Sequence, residues 1–245
     1  MEVKQMQRDG HTRIINTHRA FAIVLVAVVS TCGGIAEAEL YDLSADWSDT
    51  ENPNGVWTYL KNGGVATNST LRSGDPFSSP GQPMWSTGSG GYFGWSKSNG
   101  TNEIDWDLEV GDVYGHTLGT LYVKQPLQIQ WTSPLAGTAE VSGGVWAIRD
   151  IRSRENYWSL SLNGSILADG HVGRGDPYSR SNPYLIDLVF DVDFGDVLEF
   201  YAIPTSLYGD YIALDLAINV VPVPGAVLLG MIGLSVAGVK LRKHA

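Results

Sequence analysis

Between residues 39 and 221 short segments bounded by turn residues alternate apolar and polar positions, most regularly after residue 118, and no convincing helical period appears. Residues 127–131 read Leu-Gln-Ile-Gln-Trp and residues 158–162 read Trp-Ser-Leu-Ser-Leu, alternations that place Trp131 and Trp158 on the inner side of extended segments. Asn163-Gly164 follows the second segment and precedes another apolar run at 165–168. Both residues tolerate the positive φ angles that a two-residue hairpin requires. Ile186, Leu188, Phe190 and Val192 share one side of the next segment, residues 193–196 turn the chain, and residues 197–203 bring it back. Ile212, Leu214, Leu216 and Ile218 point inward from a final strand at 211–218. Upstream, residues 52–55 form a turn that feeds a strand at 56–59. Residues 67–91, rich in Gly, Ser, Pro and Asn, predict a long loop or a pair of loops. Five or six strands at this spacing predict an all-β domain, an antiparallel β-sandwich or jelly roll.

The two ends follow a different pattern. Arg13, His18 and Arg19 precede an apolar run at 20–29, and Ala36-Glu37-Ala38 supplies the small-x-small site of a signal peptidase. Residues 1–38 therefore predict a cleaved signal peptide with an apolar signal helix, and residues 39–221 the exported domain. At the other end, Val221-Pro222-Val223-Pro224-Gly225 leads into an unbroken apolar stretch at 226–239, closed by Lys240, Arg242 and Lys243. Small residues among Leu, Ile and Val suit a transmembrane helix, and the terminal cations stay on the cytoplasmic side. As helix that stretch measures about 21 Å, short against a hydrocarbon layer of roughly 30 Å.

This tail (222–245), in its order of Pro-x-Pro, short apolar helix and basic end, resembles that of PEP-CTERM proteins, the substrates of exosortases in Gram-negative bacteria. Val223 stands where the family's name-giving Glu would be, so the match is to the VPxPGA variants of the tail. The resemblance implies an exosortase-like sorting enzyme as partner, an inner-membrane intermediate, and a final place at the cell surface or in an exopolysaccharide matrix. Pieces of the body, NPNGVWTYL (52–60), WTSPLAGTAEVSG (131–143), LNG (162–164) and DLVFDVDFGDVLEFYA (187–202), are similar to β-sandwich ectodomains joined to such tails. They are also broadly similar to jelly-roll carbohydrate-binding modules.

Composition narrows the function. The formal net charge is −10, and only 17% of residues are charged, against 29 Gly and 8 Trp in 245 residues. Of the 26 acidic residues, only Glu2, Asp9 and Glu37 precede residue 39. The body's cations are Lys61, Lys97, Lys124 and six arginines. So acidic a body repels phosphate backbones, which argues against nucleic acid as partner. The single cysteine, Cys32, lies in the signal segment, so the body has no disulfide and no thiol chemistry. No G-x-S-x-G, H-E-x-x-H, P-loop or dinucleotide fingerprint occurs, and His116 and His171 are isolated in the sequence, so the expectation is a non-enzymatic protein.

Two binding chemistries have candidate residues. Asp105, Asp107 and Glu109 alternate with Trp106 and Leu108 as on a strand, and Asp191, Asp193 and Asp196 surround a turn. These carboxylates are the calcium candidates, and the only cofactor the sequence offers. Paired glycosidase carboxylates are the catalytic counterpart of the first group. Trp85, Tyr92 and Trp95 fall in the Gly-rich stretch and are the candidates for stacking on sugar rings. The expected function is an exported structural or adhesive envelope protein. A carbohydrate-binding module for a secreted polysaccharide is the alternative, and a secreted glycoside hydrolase or lyase a third reading.

Overall fold

Six of the alternating segments lie in strands of the computed structural model, which describes residues 37–70, 82–86, 93–100, 106–149 and 153–223. The signal segment through Ala36, together with Tyr92, Asp105, Pro224, Gly225 and the apolar and basic tail with Lys240, Arg242 and Lys243, lies outside the described residues. Among the described residues there is no helix, and so none long and apolar enough to cross a membrane.

In chain order the strands are β1 (Glu39–Asp42), β2 (Trp57–Lys61), β3 (Gly64–Val65), β4 (Thr67–Thr70), β5 (Pro83–Ser86) and β6 (Gly94–Lys97). There follow β7 (Val113–His116), β8 (Leu118–Gly119), β9 (Lys124–Gln125), β10 (Leu127–Thr132) and β11 (Gly137–Trp146). The last are β12 (Glu155–Leu162), β13 (Ser165–Gly173), β14 (Tyr184–Val192), β15 (Val197–Pro204) and β16 (Tyr211–Pro222). One sheet has the order β14-β11-β16-β7-β6-β5-β4, with β1 also paired to β16. The other has the order β13-β12-β15-β10-β2-β3, and β8 with β9 forms a small separate ribbon. Every pairing is antiparallel.

The inner faces of the two large sheets meet in one core, so the domain is a β-sandwich. Ile212, Leu214, Leu216, Ile218 and Val220 enter it from β16, Leu160 and Trp158 from β12, and Leu198 and Phe200 from β15. Phe200 lies between two indoles, 5.9 Å from Trp158 and 6.1 Å from Trp95. Each such side chain contributes roughly 1.5–3 kcal/mol by leaving water. All the strand pairing and both core clusters fall within one unit, Glu37–Pro222. The turn between β12 and β13 is the one its sequence demands: φ is 49° at Asn163 and 82° at Gly164.

Three expectations change. Residues 67–91 contain two strands, β4 and β5, because cross-strand packing outweighs a Gly- and Ser-rich composition. Trp85 of β5 pairs with Trp95 of β6 and stacks on Tyr59 at 6.2 Å. Residues 106–109 form no strand: the chain instead crosses the outer face of the eight-stranded sheet, with Trp106 and Leu108 packed on Tyr114, Trp146 and Tyr211. The last strand also runs on to Pro222, so Val221 and Pro222 pair with Thr138 and Gly137.

The hydroxyl of Tyr59 is fully buried and has no hydrogen-bond partner among the described residues. Burial, followed by the nearby Asp46 and Asp49 carboxylates, raises its pKa above the ordinary tyrosine value. In the unfolded chain this hydroxyl ionises near pH 10, whereas in the fold it stays protonated, so its contribution to stability is lost as pH rises above 10. Tyr59→Phe is expected to leave stability at pH 8 unchanged or raise it by about 1 kcal/mol, and to make the alkaline decline shallower. Urea unfolding at pH 8 and pH 10.5 checks both.

Candidate functional site

The outer face of the six-stranded sheet follows directly from its register. One row across it reads Leu60, Gln128, Tyr201, Ser159, Asp169, and the next Thr58, Gln130, Glu199, Ser161, Ile166. A third places Ile203 beside Tyr157 and Tyr157 beside His171. Each of these side chains alternates with a core residue on its own strand. Ser159 and Ser161 point outward yet are only 8% exposed, because larger neighbours overhang them. The result is a polar floor flanked by two tyrosines on adjacent strands.

The groups on this face hold one another. Gln130 Nε2 donates to Glu199 Oε2 at 2.7 Å, and Gln128 Oε1 accepts from the backbone N–H of Gly63 at 2.9 Å. Tyr157 is raised in pKa by desolvation and then by the charge and hydrogen bond of Asp169, while a hydrogen bond with Ser159 opposes the shift. Tyr201 is raised by desolvation, then by Glu199 and Tyr157. His171 lies edge-on to Tyr157 at 5.4 Å, with Nδ1 3.4 Å from Glu155 Oε2. The outward residues of this sheet carry Glu155, Asp169, Glu199 and His171; none of those described is Lys or Arg. The face therefore offers flat aromatic surface beside acceptors and amides that are already oriented.

Of the residues singled out from sequence, those described lie elsewhere, while Tyr92 and Asp105 lie outside the described residues. Trp85 and Trp95 are 3% and 0% exposed, so neither can stack on a ligand, and the expected aromatic row is corrected. Their indole N–H groups bond the carbonyls of Ser48 and Gln128 inside the fold. Asp107 and Glu109 face Arg180: its backbone N–H donates to Asp107 Oδ2 at 2.5 Å, and its guanidinium lies 3.1 Å from Glu109 Oε1. Asp112 completes the clamp at 2.8 and 3.3 Å. Asp191 accepts from Thr138, and Asp196 accepts from Asn163 and from the backbone of Asp193, so these carboxylates brace a turn. Among the described residues no three His, Cys, Asp or Glu side chains are grouped as a metal would require. Lys61 Nζ and Ser86 Oγ are 3.1 Å apart, the spacing of a base and a nucleophile, but both are buried and the serine hydroxyl is turned to the Phe93 carbonyl at 2.5 Å. That pair ties the two sheets together.

No protein-family model matches the chain, and no curated protein matches it. Among solved structures it is similar to a family 35 carbohydrate-binding module from Clostridium thermocellum, at 11% identity and a TM-score of 0.29 over 75% of this chain and 98% of that one. It is also similar to the CBM22-1 xylan-binding domain of Paenibacillus barcinonensis Xyn10C, at 12% identity and a TM-score of 0.33 over 78% and 97%. A third is the K1 cleaved adhesin domain of Lys-gingipain from Porphyromonas gingivalis W83, at 13% identity and a TM-score of 0.34 over 75% and 97%.

Tyr157, Tyr201, Glu199 and Gln130 were not among the residues singled out from sequence, and the signal that could have found them is the alternation. They are the outward members of segments whose inward members are Trp158, Leu160, Leu198 and Phe200. Across the molecule, Asp215 stands at the rim of a cavity of about 240 Å³ on the eight-stranded sheet, beside Gly143, Gly144 and Arg180. Desolvation, then the Asp42 and Asp112 carboxylates, raise its pKa, and Arg180 opposes them. The folded state thus binds this proton more tightly than the unfolded chain, and the fold is penalised above the ordinary carboxylate range. Asp215→Asn is expected to raise the thermal midpoint at pH 7, with the gain fading as pH falls toward 4. A pH series of melting curves tests this.

Proposed function

We propose that this chain is an exported envelope protein whose β-sandwich binds polysaccharide on the outer face of the six-stranded sheet, as an adhesive module without catalysis. The observation that carries the reading is the pair Tyr157 and Tyr201 flanking the Ser159–Ser161 floor, with Gln128, Gln130, Glu199 and Asp169 around it. A sugar ring presents an apolar C–H side and a rim of hydroxyls. Tyrosine supplies a flat apolar body with a polar tip at low entropic cost, and carboxylates and amides orient hydroxyl groups. Signal peptidase acting after Ala38 and an exosortase-like enzyme acting on the tail would deliver the module to the cell surface or matrix. β1 begins at Glu39 and β16 reaches Pro222, bounds that are compatible with cleavage after Ala38 and a tail that starts at Pro222.

Two experiments test the halves of this reading. Tyr157→Ala and Tyr201→Ala should each lower affinity of the Glu37–Pro222 unit for a glycan chosen from an array by about tenfold or more. Both side chains face outward, so the melting temperature should hold within a few degrees. Absence of any glycan binding by the parent, or undiminished binding by the double variant, would remove the glycan reading. For sorting, Pro222→Ala with Pro224→Ala should block processing while the body stays folded and membrane-associated. Normal surface display of that variant would reduce the tail to a plain anchor.

A further inference from the structure

The ribbon β8–β9 belongs to neither large sheet, and its turn carries Leu121, Tyr122 and Val123, all exposed, Tyr122 to 89%. The turn is built rigidly: Thr120 Oγ1 accepts from the Val123 N–H at 3.0 Å, and the Thr120 N–H donates to the Val123 carbonyl at 2.7 Å. Beside it runs the loop after β15, with Leu207 and Tyr208 also exposed. The two are in direct contact. A Cβ at Gly119 would come within 2.8 Å of the Tyr208–Gly209 backbone, and Lys124 Nζ donates to the Thr205 carbonyl at 2.9 Å. Five large apolar or aromatic side chains thus lie exposed on two touching loops, which form one tip.

Cations collar that tip in a protein whose net charge is −10. The Arg154 guanidinium lies 5.9 Å over the Tyr208 ring and donates to the Gly209 carbonyl at 3.3 Å. Lys124 stands at the base of the ribbon. Arg174 follows Gly173, whose Cβ would lie 2.9 Å from the Arg154 carbonyl. Among the described residues the acids at this end are turned into the fold: Glu155 accepts from Thr205 Oγ1 at 2.5 Å, Asp176 accepts from the backbone of Gly173 and Tyr178, and Asp210 is buried, while Lys124 and Arg174 are exposed. Glu39, Asp191, Asp193 and Asp196 gather instead toward the opposite end of β16, some 12 residues and roughly 40 Å away.

We infer that this tip docks on an anionic lipid surface. Exposed Leu, Val and Tyr ringed by cations match a bilayer interface, which takes apolar side chains at the acyl boundary and cations among the headgroups. Tyr at that depth keeps its hydroxyl among the headgroups. Lys124, Arg154 and Arg174 then lie where lipid phosphates would be, and each favours an anionic surface. The inference stands apart from the glycan-binding face, and its test uses different residues.

The test is sedimentation of the Glu37–Pro222 unit with phosphatidylcholine vesicles made with and without phosphatidylglycerol, and with soluble polygalacturonate as a competitor. The parent should bind the phosphatidylglycerol vesicles, more weakly as salt rises, and bind phosphatidylcholine vesicles poorly. Leu121→Ser with Tyr122→Ser, and separately Lys124→Gln with Arg154→Gln, should each reduce that binding by about tenfold or more, with unchanged circular dichroism. No vesicle binding by the parent overturns the inference. So does binding that the Leu121→Ser, Tyr122→Ser variant retains, or that polygalacturonate abolishes at low salt regardless of the apolar tip. Sedimentation velocity completes the set: a parent that dimerises while the tip variant is monomeric, without vesicle binding, would make the tip a contact between copies and overturn the lipid assignment.

Discussion

Strand β16 is hydrogen-bonded on both edges over most of its length, and the sandwich is arranged around that constraint. β11 pairs with it from Ala213 to Pro222; on the other edge β7 takes residues 211–214 and β1 takes residues 217–220. Between β7 and β1 the Leu216 carbonyl accepts from the Leu43 N–H at 3.0 Å, so the interval is bridged as well. With Ile212, Leu214, Leu216, Ile218 and Val220 all buried, a slip of one residue would turn the whole set out of the core to the opposite face. Gly143 of β11 shows how close the fit is, since a Cβ there would lie 2.0 Å from the Asp215 carbonyl. A strand fixed this firmly determines where its neighbours, its outer face and both of its ends must be.

The outer faces of the two sheets then part company. On the eight-stranded sheet, residues 106–109 lie across β7, β11 and β16, held by the Asp107 and Glu109 contacts to Arg180 and by the ring of Trp106 4.7 Å from Tyr211. His116 stacks on the same tyrosine at 4.0 Å. That covering makes a second small core. Among the described residues, no segment lies in the same way over Tyr157, Tyr201 and their polar neighbours on the six-stranded sheet. Groups that could satisfy each other in a closed layer are instead arranged in rows at the surface, which is the physical ground for placing the proposed binding face there.

The sandwich was legible in the sequence where alternation was strong. Ile212 to Ile218, Ile186 to Val192 and Trp158 to Leu162 announced both their strands and their buried sides, and Asn163-Gly164 announced its turn. The reading failed where local composition and tertiary context disagree. Trp85 and Trp95 sit among Gly and Ser, a composition that predicts loop and exposure, and only packing across β5, β6 and β2 buries them. The alternation at 106–109 correctly separated Trp106 and Leu108 from Asp107 and Glu109, but an irregular segment laid on a sheet can sort its side chains as a strand does. Tyr157 and Tyr201 of the candidate face were missed, although each is the outward member of an alternating strand. Their convergence depended on strand order, which brings β12 beside β15 and β15 beside β10, and no single-strand pattern encodes that order.

Glu155 and Arg154 mark the point where two surfaces of opposite character meet. Glu155 Oε2 holds His171 and Thr205, and so closes the end of the tyrosine-bearing face. Its neighbour in sequence reaches the other way, over Tyr208, and supplies charge to the apolar tip. Carboxylates without Lys or Arg on the first surface disfavour polyanionic chains there, because like charges on partly desolvated ground repel. Cations around exposed Leu and Tyr on the second favour anions that bring an apolar phase with them. The two surfaces therefore differ in the charge of the partners they admit.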